Sequence, residues 1–329
     1  MSDRIPGFET PKDMVHWEIR TLVGVDAMKE LVDDIDKRNR LLSRQGATVS
    51  EQREHTVIMG NTGTGKTTTG QLFGQYMRLT SMVGSKTYKE VTGSQLLRMG
   101  HKKVERLFRP PPVDPAAPRP RLLAINNMSP KPDFDTQDPA NFTLKRGCLH
   151  KGGVLFVDDA DQLVGRHAGR SGQLILHILQ EAMDMLLGEL LIIFAGCEEK
   201  VMPLLEQNPG LRARIPHVVR LEDFTDFQML GMLLDLIDER FQGKMAAEAR
   251  LDGAYMHAAV MQLGRQRGQP GFSNAYAVRN LLDEMCTRQA KRLCALRGQA
   301  RVPPGKSPLF YLTRDDILGP NLGNAMMLW

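Results

Sequence analysis

Apolar residues in this chain gather in two kinds of run. Short unbroken ones, Val57–Met59, Gly153–Val157 and Leu190–Ala195, have the length and composition of strands buried on both faces. Lys86–Thr92 reads as a further strand. Elsewhere apolar positions recur at helical spacing. Val25, Met28, Leu31, Val32 and Ile35 predict an amphipathic helix over Val25–Arg44, with Asp26 and Gly46 supplying its ends. Helices are also predicted over 65–79, 94–108, 172–187 and 198–207. Beyond Arg220 the pattern is helical only, about 225–241, 246–266 and 272–297, the last two separated by Gly268, Pro270 and Gly271. Strands alternating with helices imply an α/β domain with a parallel sheet between helices, followed by a smaller all-α domain. The expected division is a polar, irregular extension at 1–20 anchored by Trp17, an α/β domain at 21–220 and a helical domain at 221–329.

One stretch breaks the alternation. RPPPVDPAAPRPR at 109–121 and NNMSPKPDFDTQDPANF at 126–142 are too rich in proline and turn formers for a helix or central strand, so 109–149 is expected to be a mobile surface insertion.

Composition narrows the class. With 329 residues, 42% hydrophobic and 25% charged, the chain is an ordinary globular protein with room for two domains. Cys148, Cys197, Cys286 and Cys294 form no CxxC pair and have no regular His spacing, which argues against a zinc site or a disulfide framework and for an intracellular, reducing compartment. The segment MSDRIPGFETPKDM has no signal or transit character, and the longest apolar region, Leu186–Gly196, is too short to cross a bilayer, so no membrane insertion is expected. A net charge of +5 permits an acidic partner without demanding one.

The strongest chemical signal follows the first strand. HTVIMGNTGTGKTTT matches G-x-x-x-x-G-K-S/T at Gly60, Gly65, Lys66 and Thr67. Gly60, Gly63 and Gly65 let the backbone wrap an anion, so that N–H groups and the next helix's N-terminus face nucleotide phosphates. Lys66 adds a point charge for the outer phosphates and the Thr67 hydroxyl can ligate Mg²⁺. The full motif favours this reading over a mere glycine-rich turn.

GGVLFVDDAD at 152–161 is an apolar strand ending in acids. Asp158 can hold Mg²⁺ and Asp159 can orient an attacking water, although alone such a pair is as readily a solvated turn. In NPGLRARIP at 208–216, Arg212 and Arg214 lie between a helix and a strand, where an arginine can reach a neighbouring subunit's phosphate or form a surface salt bridge. Spacing alone favours the salt bridge. Arg265, Arg267, Arg288, Lys291, Arg292, Arg297 and Arg301 make the helical domain basic. Without interleaved aromatics or a groove-binding motif they read as a solvated face, and nucleic acid is not expected as a partner. The many methionines, at core spacing, read as core filler.

The order of P-loop, DD strand, NPGLRARI and GFSNAYAVRNLLDEM resembles the CbxX/CfxQ-like branch of the AAA+ ATPases, which includes red-type Rubisco activases and stage V sporulation protein K. The resemblance covers about 21–320. It implies a ring-forming ATPase, usually hexameric, that holds ATP and Mg²⁺ between the α/β domain and a helical lid and remodels a protein client. Carried over by residue, it places Leu22, Val23 and Gly24 at the adenine pocket. Gly60, Asn61, Thr62, Gly63, Thr64, Gly65, Lys66, Thr67 and Thr68 form the phosphate loop, Asp158 is the magnesium-side acid, and Arg214, or else Arg212, acts in trans.

This sequence departs from the family at four places. Asp159 stands where the family has Glu, shortening the water-orienting side chain by roughly 1.5 Å, a displacement that can cost about a hundredfold in rate. Asn274-Ala275 is followed by Tyr276 instead of the γ-phosphate-sensing arginine, with Arg279 one turn along as a partial substitute. Cys197 occupies a sensor position, and Leu97-Arg98-Met99-Gly100 is a pore loop without its aromatic. Two readings follow: an ATPase that remodels a protein partner, or a nucleotide-binding subunit with weak turnover inside a homo- or hetero-oligomer. A nucleic-acid-loading ATPase is a weaker third.

Overall fold

The unbroken apolar runs form strands because helices cover both of their faces. In the computed structural model, which describes residues 10–46, 53–80, 82–109, 149–165, 167–269, 271–295, 303 and 307–319, five strands make one parallel sheet. These are β1 (Thr56–Gly60), β2 (Tyr88–Thr92), β3 (Gly153–Asp158), β4 (Leu190–Gly196) and β5 (His217–Leu221), in the order β2-β3-β4-β1-β5. Side chains alternate between faces with a period of two. Ile58, Val154, Phe156, Leu191 and Ile193 therefore join Ile19, Ile35 and Phe73 of helices α1 (Pro11–Thr21), α2 (Asp26–Arg44) and α3 (Lys66–Leu79). Val57, Leu155, Val157, Ile192 and Phe194 join the opposite layer, with Leu96, Leu107, Ile175 and Leu204 of α4 (Gly93–Met99), α5 (His101–Phe108), α6 (Gly169–Met185) and α7 (Glu198–Gln207). A short α8 (Pro209–Arg212) leads into β5. Helix α3 approaches the sheet so closely that a Cβ at Gly70 would lie 2.4 Å from the Phe156 ring.

The lid core is assembled from α9 (Asp226–Phe241), α10 (Ala254–Gly264), α11 (Ala275–Ala295) and α12 (Arg314–Leu318), through Met229, Leu233, Ile237, Met256, Val278, Leu282, Met285 and Ile317. Several of the methionines are core residues here, as their spacing predicts. Three of the basic lid residues are engaged within the protein. Arg288 donates to the carbonyls of Asp316 and Ile317, Arg292 pairs with buried Asp316 at 2.7 Å, and Arg267 holds the Phe224 carbonyl at 2.6 Å. Arg297 and Arg301 lie outside the described residues.

Four expectations need correction or restriction. The part of the N-terminal segment that is described is not irregular. Thr10 and Asp13 form a reciprocal capping box, Pro11 sits in the first turn, and α1 is anchored by Val15 and Ile19, while Trp17 is 53% exposed. The helix expected over 94–108 is two helices, because Gly100 takes a left-handed φ of 74° between them. Leu97 and Met99 pack partly buried against the core at the end of α4. The helix expected over 246–266 begins at Ala254. Ala246–Ala247 (β6) instead pairs in parallel with Tyr311–Leu312 (β7), and Ala249 and Arg250 then turn through left-handed conformations, so the lid is not wholly helical. Residues 110–148, the substance of the proline-rich insertion, lie outside the described residues. The flanks of that segment meet: the Leu149 N–H donates to the Leu107 carbonyl at 2.6 Å.

Candidate nucleotide-binding site

The expected phosphate loop links the C-terminal end of β1 to the N-terminus of α3. Gly63 (φ 76°) and Gly65 (φ 89°) are left-handed, which their missing Cβ allows. Thr64 is fully buried and its hydroxyl donates to the Asn61 carbonyl at 2.9 Å, closing the loop on itself. Lys66 Nζ donates to the same carbonyl at 2.7 Å. Burial lowers the Lys66 pKa, against the pull of Cys197, Asp158, Asp159 and Asp161, so these groups share one site. Thr67 and Thr68 are exposed in the first turn of α3, where backbone N–H groups lack helical partners.

The acids stand beside that turn because β3 ends there. The Thr67 hydroxyl donates to Asp158 Oδ2 at 2.6 Å, and the Asp159 N–H donates to Asp158 Oδ1 at 2.9 Å. Asp159 itself is left-handed (φ 47°), and its carboxyl pKa is raised by burial first and then by Asp158 and Asp161. Asp161, which the sequence pattern alone does not single out, is half-buried and pairs with Lys200 at 3.7 Å. Its signal was the acid-rich pattern of 158–161 itself. Among the described residues no cluster of three or more His, Cys, Asp or Glu side chains could hold a metal ion. The Thr67 hydroxyl with the single Asp158 carboxylate is nevertheless a donor set that suits Mg²⁺, which takes one or two protein oxygens and completes its shell with water and phosphate.

The lid closes the other side of the loop. Asn274, buried and left-handed (φ 47°), donates from Nδ2 to the Thr62 carbonyl at 3.1 Å and to Asp223 Oδ1 at 2.7 Å, and its Oδ1 accepts the Phe224 N–H at 3.0 Å. Asn61 Nδ2 donates to the same Asp223 oxygen at 2.9 Å. The Ala275 N–H donates to the Gly63 carbonyl at 3.2 Å. Tyr276 is 58% exposed, and its ring lies 3.2 Å from where a Gly63 Cβ would be. Gly24 meets the same corner, since a Cβ there would lie 2.5 Å from the Phe224 ring, whereas Leu22 packs against the core under α1–α3 and Val23 is exposed. The structure thus brings Gly24, the phosphate loop and the start of α11 together. Arg279 is exposed one turn further on and lines a cleft with Leu236, Glu239, Arg240, Leu282 and Asp283, on the α9–α11 face of the lid.

The two arginines differ in freedom. Arg214 is held within its own chain, Nε at 2.9 Å from both Asp184 oxygens and Nη1 at 2.6 Å from the Gly210 carbonyl. Arg212 is exposed at the end of α8; its backbone bonds Asn208 and Ile215, but its side chain makes no hydrogen bond or ion pair with any other described residue.

Comparison with known proteins gives a consistent picture. Residues 245–325 match the AAA lid domain family. A CfxQ homolog of Cyanidium caldarium is 28% identical over 307 residues, spanning 91% of this chain and 90% of its own. The protein CbbX of Cereibacter sphaeroides is 37% identical over 146 residues, 43% of this chain and 44% of its own. The crystal structure of the FIGL-1 AAA domain has a TM-score of 0.50 across 90% of this chain and 78% of that one, at 15% identity, a likeness of fold alone. Among the described residues no helix is long and apolar enough to cross a membrane.

Proposed function

Because this chain is a homologue within the CbxX/CfxQ-like family of AAA+ ATPases, with the α/β AAA+ fold, we propose that it binds ATP with Mg²⁺ at the 60–68 loop and hydrolyses it within an oligomeric ring to remodel a protein client. The observation that carries this reading is the Thr67–Asp158 contact, which sets a hydroxyl and a carboxylate side by side at the mouth of a glycine loop. When bound, the metal supplies charge neutralisation for the phosphates. Thr67 and Asp158 would hold it, Lys66 would counter the outer phosphates, and Asp159, just past the end of β3, would orient the attacking water. Arg212, free at an exposed edge, suits action on a neighbouring subunit better than the tethered Arg214. The domain division proposed is 21–220 for the α/β unit and 221–329 for the lid, with α1 as an added helix on the α3 face.

ATP turnover of the wild type against Lys66→Ala tests the proposal. Equal rates in the two proteins remove the enzyme claim.

A second reading, a subunit that binds nucleotide with little turnover and serves an assembly, draws on two observations. Tyr276 stands over Gly63 where the resembling family carries a charge, and Leu97 and Met99 are packed against the core rather than free to grip a client. It expects tight binding with negligible turnover, and recovery of turnover in Asp159→Glu combined with Tyr276→Arg. Brisk turnover by the unmodified chain excludes it.

A further inference from the structure

The phosphate loop does not hold its shape unaided. A loop whose N–H groups turn toward an anion sends carbonyls outward, and each needs a donor. Here two of those carbonyls, Thr62 and Gly63, take their donors from the lid: Asn274 Nδ2 and the Ala275 N–H. Peptide planarity makes the consequence local. Fixing the Thr62 carbonyl fixes the Gly63 N–H in the opposite direction.

We propose that Asn274 is a positioning residue that ties the conformation of the phosphate loop to docking of the lid. Both of its amide hydrogens are used, on Thr62 and Asp223, and its oxygen takes the Phe224 N–H, so the side chain has a single satisfied orientation. Asp223 extends the tie by accepting from Asn61 with the same oxygen that accepts from Asn274. The left-handed backbone at 274 is tolerable for Asn and costly for most other residues. A Cβ at Gly63 would fall 2.0 Å from the Ser273 carbonyl, so the lid backbone presses directly on the loop. Lid docking and loop order are then one equilibrium, and nucleotide affinity is set partly by a residue on the lid side of the loop. The affinity consequence rests on the nucleotide reading above, whereas the coupling of lid to loop does not.

The test uses the full chain and two measurements: titration with a fluorescent mant-ADP, and hydrogen exchange of the 61–66 segment without nucleotide. Asn274→Ala is expected to weaken mant-ADP about tenfold or more and to speed exchange in 61–66. Ile237→Val, a trim of the lid core away from the loop, is expected to lower the melting temperature and move neither. Asp223→Ala, which removes the oxygen that Asn61 and Asn274 share, gives the same readouts if Asn274→Ala fails to fold. Unchanged exchange and affinity within twofold in Asn274→Ala, or equal effects in Ile237→Val, overturn the proposal. A wild type that binds no mant-ADP sinks the nucleotide reading instead, and the exchange comparison then decides the coupling by itself.

Discussion

Thr67 and Asp158 meet across 2.6 Å, joining the first turn of α3 to the last residue of β3. The contact depends on the parallel register that sets the end of β3 beside that of β2 and within reach of the turn after β1. If these two oxygens hold Mg²⁺, the hydroxyl and not the methyl of Thr67 matters. Thr67→Val should lower ATP turnover about a hundredfold while Thr67→Ser stays near wild type. Steady-state rates across a Mg²⁺ titration check this.

Arg212 and Arg214 should separate cleanly. Arg214→Ala breaks the pair with Asp184, which is solvent-screened, and should cost no more than about 1 kcal/mol of stability. Arg212→Ala should leave melting unchanged and cut turnover about a thousandfold. Mixing Arg212→Ala with Lys66→Ala should recover part of the activity, since one subunit then supplies the loop and the other the arginine. No recovery in mixtures that co-assemble contradicts action in trans.

His55 predicts a pH dependence. It is fully buried at the foot of β1, its Nδ1 accepts the Ile192 N–H at 3.1 Å, and burial, aided by Arg53, pushes its pKa from 6.5 down to about 4. Above pH 6.5 the imidazole is neutral folded or unfolded and costs nothing. Between 6.5 and 4 the unfolded chain takes up a proton that the folded chain refuses, so stability falls with pH, by roughly 3 kcal/mol over the window. Urea unfolding at pH 7 and pH 4.5 should show the loss. His55→Gln, which keeps an acceptor without titrating, should flatten it.

Gly70 sets how near α3 lies to the sheet. Gly70→Ala would place its methyl 2.4 Å from Phe156 and should destabilise the chain by about 1–3 kcal/mol, seen as a lower melting temperature. Gly70→Ala with Phe156→Leu should recover part of that loss.

Legibility in the sequence followed the range of the forces involved. The strands were readable because Leu155 and Phe156, adjacent in the chain, both had to be apolar to serve opposite layers. Gly60, Lys66 and Asp158 stood out as candidates because the glycine-loop and strand-end acid patterns set residue types at fixed spacing. The start of α1 was missed because a capping box of Thr10 and Asp13 is a weak signal in a polar stretch. The break at Gly100 was missed because one glycine is tolerable in a helix until its φ is known. The grip of Asn274 on Thr62 spans 212 positions, and nothing local announces it. Likewise, the tether on Arg214 comes from Asp184, thirty residues earlier, so the difference in freedom between the two arginines shows only in the folded chain.

The Leu149 N–H bonds the Leu107 carbonyl across the gap between the two flanks. The two flanks of the 110–148 segment are neighbours, so the length of chain that joins them is almost decoupled from the framework, closure entropy rising by only about 0.6 kcal/mol for each doubling of a loop. Evolution could lengthen, shorten or exchange the chain between those flanks without renegotiating a single strand, and a short Gly/Ser bridge spliced from Arg109 to Leu149 should leave the melting temperature of the framework unchanged.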